Sequence, residues 1–184
     1  MSNWIILDRD GVINVDSDDY VKSADAWQAI PGSINAIAQL SKAGYQIAVA
    51  TNQSGISREL FDLDDLEAMH AKLNRLVEDA GGSIAGIFYC PHLPDAGCNC
   101  RKPATGLLDE IASQFDIDIN SVPFVGDSEK DVQAALAKGC SPIVVRTGKG
   151  QRTSEVVATN PVYKDVPVFD DLAAFAKSVL DTQA

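Results

Sequence analysis

Short runs of aliphatic and β-branched residues alternate along the chain with longer amphipathic segments. Short apolar runs bounded by turn residues are typical of buried strands, and apolar positions that recur every three or four residues are typical of helices. The helical repeat is clearest where Leu66, Met69, Leu73, Leu76 and Val77 fall on one face. The pattern predicts strands at 4–7, 45–51, 84–90, 122–126, 142–146 and, weakly, 166–169. It predicts helices at 31–44, 62–82, 105–115, 128–139 and 171–180, with a Gly-rich turn after the fifth strand.

Strands and helices that alternate in this way predict an α/β fold in which crossover helices join parallel strands and cover both faces of a Rossmann-like sheet. The 184 residues suffice for one domain with a full core and are few for two, so we expect a single domain over 1–184. No long insertion follows the first or the third strand, and therefore no large cap domain is expected. The segment Asp16–Ala26 and the loop at 90–100 would then have to cover any cleft.

Charge and composition narrow the classes of function. The formal net charge of −11 argues against a nucleic-acid partner, which would need a basic face. No apolar run approaches the roughly 20 residues of a membrane span, and the first residues enter a strand directly without the pattern of a signal peptide. We therefore expect a cytoplasmic protein, with no membrane and no nucleic acid among its partners.

Polar residues follow several of the predicted strands at the point where each strand ends. Asp8 and Asp10 follow the first strand, and Asp127 and Asp131 follow the fourth. Acidic residues are also common in turns before a glycine, and Asp127 is placed where a helix cap would stand. Taken together, however, carboxylates gathered at one sheet edge repel one another unless a cation lies between them. Oxygen ligands of this kind suit Mg²⁺.

Groups suited to phosphate oxygens are predicted at the same edge of the sheet, where ligands of parallel α/β proteins bind. The stretch "TNQSG" at Thr51–Gly55 offers hydroxyl and backbone N–H groups at the start of a loop. Lys102 adds a mobile positive charge. The metal and this lysine would make an anion site in the cleft of an acidic protein.

Four sulfur or nitrogen ligands lie within eleven positions, at Cys90, His92, Cys98 and Cys100. Such a set suits a closed, tetrahedral Zn²⁺ site with a structural role. Reduced cysteines without a metal and a disulfide are the alternatives, although a disulfide is rare in a reducing compartment. Zinc would fix the loop that carries Arg101 and Lys102. We interpret Cys140 as a small buried residue and His70 as structural or solvated.

The ordered set of motifs resembles that of the haloacid dehalogenase superfamily of phosphotransferases. The residues that carry the resemblance are Asp8, Asp10, Thr51, Lys102, Asp127 and Asp131. The resemblance implies that Asp8 is a nucleophile that forms an aspartyl-phosphate and that Asp10 is the general acid and base. It also implies that Asp8, the carbonyl of Asp10 and Asp127 hold Mg²⁺. Thr51 and Lys102 would stabilise the transferring phosphoryl group.

One branch of that superfamily matches further. "CPH" and "CNCRKP", together with "DRDGVIN" and "TNQSGI", resemble the heptose bisphosphate phosphatases, which remove the 7-phosphate of glycero-manno-heptose 1,7-bisphosphate on the route to nucleotide-activated heptose. The related histidinol-phosphate phosphatases share the zinc loop, but typically have Asp at the position of Ser54. Ser128 departs from the Lys of some heptose enzymes. The resemblance implies substrate-binding roles for Asp16, Tyr20, Asn52, Gln53, Ser54, Arg58 and Arg101, and supporting roles for Asp131 and Ser128.

The sequence thus predicts a magnesium-dependent phosphatase with a structural zinc, acting as a monomer on a small sugar bisphosphate. Histidinol phosphate or another small phosphorylated metabolite is the alternative substrate. An uncapped cleft also admits a phosphoprotein or a polynucleotide end, and a binding module without catalysis belongs to a different class. The acidic charge argues against polynucleotides, and the paired Asp8 and Asp10 argue against a module without catalysis.

Overall fold

The computed structural model describes residues 3–182, in which six parallel strands form one sheet in the order β3-β2-β1-β4-β5-β6. The strands are β1 (Trp4–Leu7), β2 (Gln46–Asn52), β3 (Gly86–Cys90), β4 (Pro123–Gly126), β5 (Ser141–Val145) and β6 (Val168–Phe169). The helices are α1 (Ser33–Lys42), α2 (Leu63–Asp79), α3 (Gly106–Phe115), α4 (Glu129–Lys138), α5 (Gly150–Thr159) and α6 (Leu172–Asp181), and a 3₁₀ turn spans Pro161–Tyr163. The prediction of a parallel α/β sheet is confirmed.

Helices pack on both faces of the sheet because neighbouring strand residues point to opposite sides. Ile5 and Leu7 of β1 pack in a core with α1, α2 and α6. Ile6, between them, packs in a second core with α3 and α4, and Val144 of β5 joins α4 and α5 in a third cluster. All three β1 residues are fully buried. The strands are therefore apolar on both faces, as their continuous hydrophobic runs predict.

Two helices begin at capping boxes, which fix their first turns. Asp62 caps α2 and exchanges hydrogen bonds with Asp65, and Ser128 caps α4 in the same way with Asp131. Each box satisfies backbone N–H groups that have no partner within the helix. The alternative interpretation of Asp127 as a helix cap is therefore wrong: Ser128 is the cap, and the carboxylate of Asp127 is directed elsewhere.

The sequence pattern did not predict α5 or the 3₁₀ turn that follows it. Within α5 the sequence "GQRTSEVVAT" has only Val156, Val157 and Ala158 as apolar residues, so it shows no full apolar stripe. Val157 alone is buried among these three, against Val132 and Val144. Tertiary packing on β5 thus stabilises a helix that its own periodicity does not indicate.

Within residues 3–182, the connection between β1 and α1 contains only isolated bridges, at Asp10, Asn14 and Ala29, and the connection between β3 and α3 contains no helix or strand. The prediction that no large cap domain is present is confirmed. The reversal of strand order lies at β1, between β2 and β4, and in such sheets the crevice at that point receives the ligand. Of the described helices, none has the length and apolarity needed to cross a membrane.

Candidate functional site

A cleft of about 760 Å³ lies at the carboxyl ends of β1, β2 and β4. Because these strands are parallel neighbours, residues far apart in sequence meet at this edge. The residues from the sequence analysis that line the cleft are Asp8, Asp10, Asp16, Tyr20, Thr51, Asn52, Gln53, Ser54, Arg101, Lys102, Asp127, Ser128 and Asp131. The zinc-loop residues lie beside the cleft rather than in its lining, as a structural metal site requires.

Arg58, which was predicted to bind substrate, does not line the cleft. Its side chain is exposed, and its guanidinium carbon lies 5.9 Å from the centroid of the Tyr20 ring. Tyr20 itself has a φ of 65°, a left-handed conformation that is uncommon for a bulky residue and that recurs at functional sites. The structure therefore places Arg58 where it can hold Tyr20, and Tyr20 where it can reach a ligand.

Lys102 joins two carboxylates at the floor of the cleft. Its Nζ lies 2.9 Å from Asp8 Oδ1 and 2.6 Å from Asp131 Oδ1, and it donates to the Ala50 carbonyl at 2.8 Å. Burial alone would lower the pKa of Lys102, but Asp131 and Asp8 hold that pKa above its ordinary value. The lysine therefore stays charged beside Asp8.

Asp8 is in an electrostatically unfavourable position for a carboxylate. Burial, followed by repulsion from Asp131 and Asp127, raises the pKa of Asp8 well above its ordinary value, and Lys102 opposes the shift only in part. The Oδ1 atom of Asp8 accepts from Arg9 N at 2.8 Å as well as from Lys102, so Oδ2 is the oxygen that remains for a metal or a substrate. A buried carboxylate with a raised pKa is a marker of functional sites.

Asp127 is confined between two glycines. An added Cβ would lie 2.0 Å from Asp127 Oδ2 at Gly11 and 2.3 Å from it at Gly148, and both glycines have positive φ. The same oxygen accepts from Lys149 N at 2.8 Å, and Thr153 Oγ1 donates to the Asp127 carbonyl at 2.7 Å. The start of α5 thus fixes this carboxylate, and no other residue than glycine fits at the two contacts.

These carboxylates fit the ligand set of Mg²⁺. Oxygens of Asp8, Asp127 and Asp131 lie within 4.8 Å of one another. Asp131 has both oxygens engaged, Oδ1 by Lys102 and Oδ2 by the N–H and hydroxyl of Ser128, which suits a supporting role. Burial and Asp131 raise the pKa of Asp127 to about 7. A divalent cation between Asp8 and Asp127 would favour the charged form of both carboxylates, against the burial and the repulsion that raise their pKa values.

Asp10 has a different environment from Asp8. Its Oδ1 accepts from Arg9 Nε at 3.1 Å, from Arg9 Nη2 at 2.8 Å and from Asn14 Nδ2 at 2.8 Å, and its Oδ2 accepts from Gln53 Nε2 at 2.9 Å. Burial alone would raise the pKa of Asp10, but Arg9, Asn14 and Gln53 hold it below its ordinary value. The pKa values of the two carboxyl groups are therefore shifted in opposite directions, raised at Asp8 and lowered at Asp10, because their neighbours differ in charge.

His70 on α2 lies behind Arg9, with Nε2 at 3.2 Å from Arg9 Nη1. Burial and the Arg9 charge lower the pKa of His70 from 6.5 to about 4. In the unfolded chain, His70 therefore binds a proton below about pH 6.5. In the folded protein it binds that proton only below about pH 4. We expect the free energy of unfolding to fall by about 2 to 3 kcal/mol across this window.

The variant His70→Gln isolates that contribution, because glutamine does not titrate. Urea unfolding at pH 7 and pH 4.5 should show a smaller loss of stability in the variant than in the parent protein. An identical loss in both would contradict the assignment of a neutral, half-buried His70.

Asn52 connects the end of β2 to the backbone of the lysine. Its Nδ2 donates to the Lys102 carbonyl at 3.1 Å and its Oδ1 accepts from Lys102 N at 3.0 Å. Its neighbour Gln53 donates to Thr51 Oγ1 at 2.9 Å and, through its own N–H, to the Cys90 carbonyl at 2.7 Å. The amides of Asn52 and Gln53 therefore position Lys102, Thr51 and Asp10, while both residues also line the cleft.

The four zinc-loop residues converge, with one ligand atom from each within 4.8 Å of the others. Cys90 Sγ lies 3.7 Å from Cys98 Sγ and 3.4 Å from His92 Nδ1, close to the edges of roughly 3.5 to 3.8 Å of a tetrahedron with zinc–ligand bonds of about 2.0 to 2.3 Å. Cys100 Sγ is closer to Cys90 Sγ, at 3.0 Å. All four cysteines of the chain are unpaired, so a disulfide is not formed, and the set fits Zn²⁺.

The zinc cluster is coupled directly to the cleft. The backbone N–H of Arg101 is the main cause that lowers the pKa of Cys98 to about 6, and Arg101 Nη1 donates to the His92 carbonyl at 3.3 Å. Lys102 follows Arg101 in the chain. Cys140 lies elsewhere, buried with its thiol on the Ile119 carbonyl, as the sequence analysis predicted.

Three further cations line the cleft that were not predicted from the sequence, at Lys130, Lys149 and Arg152. Lys149 Nζ lies 3.5 Å from Asp16 Oδ2. Burial, then the charges of Arg101 and Lys149, lowers the pKa of Lys130, so these cations crowd one another. Lys149 and Arg152 went unnoticed because they belong to the start of α5. Lys130 lies two residues after Ser128, at the start of α4.

Comparisons with known proteins agree with this geometry. A family model named Hydrolase_like and described as "HAD-hyrolase-like" matches residues 99–175. The D-glycero-beta-D-manno-heptose-1,7-bisphosphate 7-phosphatase of Pseudomonas putida is 55% identical over 180 residues, which cover 96% of this chain and 98% of the relative. The enzyme of the same name from Pseudomonas aeruginosa is 54% identical and covers 96% and 97% of the two chains.

Solved structures give the same result. The crystal structure of D,D-heptose 1,7-bisphosphate phosphatase from B. bronchiseptica, complexed with magnesium and phosphate, superposes with a TM-score of 0.92 at 48% identity, over 99% of each chain. The enzyme from Burkholderia thailandensis superposes with a TM-score of 0.74 at 44% identity, over 96% and 97% of the two chains. The chain therefore belongs to the haloacid dehalogenase-like hydrolases, in the family of the D-glycero-beta-D-manno-heptose-1,7-bisphosphate 7-phosphatases.

Proposed function

We propose that the chain is a magnesium-dependent phosphatase that hydrolyses the 7-phosphate of D-glycero-β-D-manno-heptose 1,7-bisphosphate, as its relatives are named to do. The observation that carries the proposal is the buried Asp8 carboxylate, which lines the cleft together with Lys102, Asp127 and Asp10. A carboxylate nucleophile, a paired acid and base, and fixed cations are the parts that phosphoryl transfer needs.

Asp8, Asp127 and the carbonyl of Asp10 would hold Mg²⁺. The ion, when bound, neutralises charge on the nucleophile and on the phosphoryl oxygens. Zinc in the loop of Cys90 and Cys98 has no part in the reaction and would keep Arg101 and Lys102 in place.

The chain's own residues perform two displacements. Asp8 Oδ2 attacks phosphorus and forms an aspartyl-phosphate, while the bond from phosphorus to the sugar oxygen breaks and that oxygen takes a proton from Asp10. Asp10 then removes a proton from water, and the resulting hydroxide releases phosphate and restores Asp8. The phosphoryl group brought beside Asp10 disfavours its carboxylate form, so substrate binding promotes the protonated acid that the first step uses. Lys102 and Thr51 stabilise the negative charge on the phosphoryl oxygens during the transfer.

The phosphate that is retained needs a second group of cations. The charge of Arg101 contributes to lowering the pKa of Lys130, and both residues line the cleft together with Lys149 and Arg152. Crowded cations bind an anion favourably because it relieves their mutual repulsion. We propose that Arg101 and Lys130 contact the 1-phosphate of the heptose.

A phosphate-release screen tests the substrate. It should include both anomers of the heptose bisphosphate, histidinol phosphate, and fructose 1,6-bisphosphate at equal concentrations with magnesium. We expect the β-anomer to give the highest kcat/KM. A higher kcat/KM for histidinol phosphate, or for any other compound in the screen, would replace the proposed substrate.

The two metals should be separable, because their ligands differ. Magnesium held by carboxylates and water is removed by a weak chelator and restored by adding it back. Zinc held by three thiolates and a histidine is lost to acid or a strong chelator. We expect elemental analysis of reduced protein to give one zinc per chain, and magnesium alone should not restore full activity after zinc is stripped.

Circular dichroism provides the control, since the sheet core does not depend on the loop and should keep its helix content. Full activity on magnesium in protein that contains no zinc would show that the four ligands are incidental. We further propose that the enzyme is a monomer in the cytoplasm, which size-exclusion chromatography with light scattering and cell fractionation would test.

A further inference from the structure

Arg9 is a buried cation that has no role in the catalytic steps described above. Its side chain is 0% exposed, and two of its nitrogens, Nε and Nη2, contact one oxygen of Asp10 at 3.1 and 2.8 Å. The third nitrogen, Nη1, lies 3.2 Å from His70 Nε2 on α2. A guanidinium has five N–H donors in a rigid plane and no acceptor, so its orientation is set by the groups that accept from it.

The contacts divide the two oxygens of Asp10 into different roles. Oδ1 accepts three N–H groups, two from Arg9 and one from Asn14, while Oδ2 accepts one from Gln53. A carboxylate oxygen has about two lone-pair directions, so Oδ1 is saturated and has no room for a proton. The proton that Asp10 gives and takes must therefore be carried on Oδ2.

His70 fixes the far end of the guanidinium. It is the only acceptor in the described residues for Arg9 Nη1, and because that partner can only donate, His70 Nε2 must be the unprotonated nitrogen. Burial and the Arg9 charge keep the imidazole neutral, with a pKa of about 4. A neutral ring in this position accepts one hydrogen bond and prevents rotation of the guanidinium away from Asp10.

We propose that His70 is a positioning residue for the acid/base step: through Arg9 it holds the Asp10 carboxyl so that Oδ2, and not Oδ1, faces the leaving oxygen of the substrate. The inference rests on the proposed function, in which Asp10 is the general acid. Without an acceptor at position 70, a buried N–H of Arg9 would lose its partner, and the guanidinium would reorient to find another. Asp10 would keep its charge partner but lose its fixed orientation.

The test compares two kinds of leaving group. Sugar phosphates need a proton on the departing alkoxide, whereas p-nitrophenyl phosphate releases a stable phenolate that needs none. For both, kcat/KM reports the steps up to the first phosphoryl transfer and excludes the later hydrolysis of the intermediate. A residue that orients the general acid should therefore affect the sugar phosphate and spare the aryl phosphate, whereas a residue that only supports packing should affect both equally.

We expect His70→Leu to lower kcat/KM for the heptose bisphosphate by about 10- to 100-fold, a part of the full share of general acid catalysis, and to lower it for p-nitrophenyl phosphate by no more than about twofold. His70→Gln should retain most of the activity because its amide oxygen can accept from Arg9. Asn74→Leu, one turn further along α2 and also half-buried, is the matched control and should leave both values unchanged.

Three outcomes would each overturn the proposal. His70→Leu could lose activity equally on the two substrates, His70→Gln could be as impaired as His70→Leu, or neither variant could lose activity. Thermal unfolding of every variant shows whether it is folded. If His70→Leu is not folded, the test compares His70→Gln with His70→Asn instead, because the shorter amide of asparagine cannot reach Arg9. Failure of the proposed function is seen separately in the parent protein. If it prefers another sugar or alcohol phosphate, the same comparison is made with that substrate.

Discussion

Replacing Asp8 with asparagine is expected to abolish turnover, because an amide is a far weaker nucleophile and metal ligand than a carboxylate. The same change should leave the fold intact and raise the melting temperature of metal-free protein. Burial and the neighbouring Asp131 and Asp127 disfavour a charge at Asp8, as its raised pKa shows, so a neutral side chain of the same shape relieves repulsion. Loss of activity with a gain in stability is typical of residues kept for catalysis.

Steady-state phosphate release and thermal unfolding in the presence of a chelator measure the two effects. Asp10→Asn is the matched comparison at the other carboxyl group, and should slow hydrolysis by about 10²- to 10⁴-fold, the usual contribution of general acid and base catalysis. Appreciable activity in Asp8→Asn would contradict covalent catalysis by this residue.

Replacing Lys102 should have the second largest effect, and mainly on kcat. Its ammonium is buried between Asp8 and Asp131 and contacts the proposed nucleophile directly. Loss of one fixed donor to a transition state typically costs about 10²- to 10³-fold. Lys102→Met should therefore lower kcat by that factor, whereas Arg101→Ala should mainly raise KM and weaken the preference for a bisphosphate over a monophosphate.

Removing Lys102 also leaves Asp8 and Asp131 facing each other, which costs stability. The double variant Lys102→Met with Asp131→Asn removes one of those charges and separates a folding defect from a catalytic one. A rise in KM for Lys102→Met together with a fall in kcat for Arg101→Ala would reverse the roles assigned to these residues. Arg101→Ala with unchanged kinetics would indicate that its contact with the His92 carbonyl is only structural.

The fold was accessible from sequence wherever an element carries its own periodicity. The strands are continuous apolar runs because both of their faces are buried, and α2 has a full apolar stripe and a capping box at Asp62. In contrast, α5 has few apolar residues and depends on its contact with β5, which no local pattern reveals. The strand order could not be deduced either, since pairing of β1 with β4 is a long-range contact.

The site residues that follow strands were found because parallel strands place their ends at one edge. Other residues that reach the site from a helix were not assigned a role there. Lys149 reaches Asp127 from the start of the missed α5, and His70 meets Arg9 from α2 across 61 positions of sequence. Asn52 was predicted to bind substrate, and only the structure shows that its amide is engaged by the backbone of Lys102. The catalytic and binding roles of these residues remain predictions.

The proposed reaction removes one particular phosphate of the substrate, and the position of that phosphate can be measured. Phosphorus NMR of D-glycero-β-D-manno-heptose 1,7-bisphosphate, incubated with zinc-containing protein and magnesium, resolves the anomeric phosphate from the one at carbon 7. We expect the signal of the 7-phosphate to disappear as one equivalent of inorganic phosphate forms, while the anomeric signal persists, and we expect Asp8→Asn to leave both signals unchanged. Loss of the anomeric phosphate, or two intact signals with the parent protein, would contradict it.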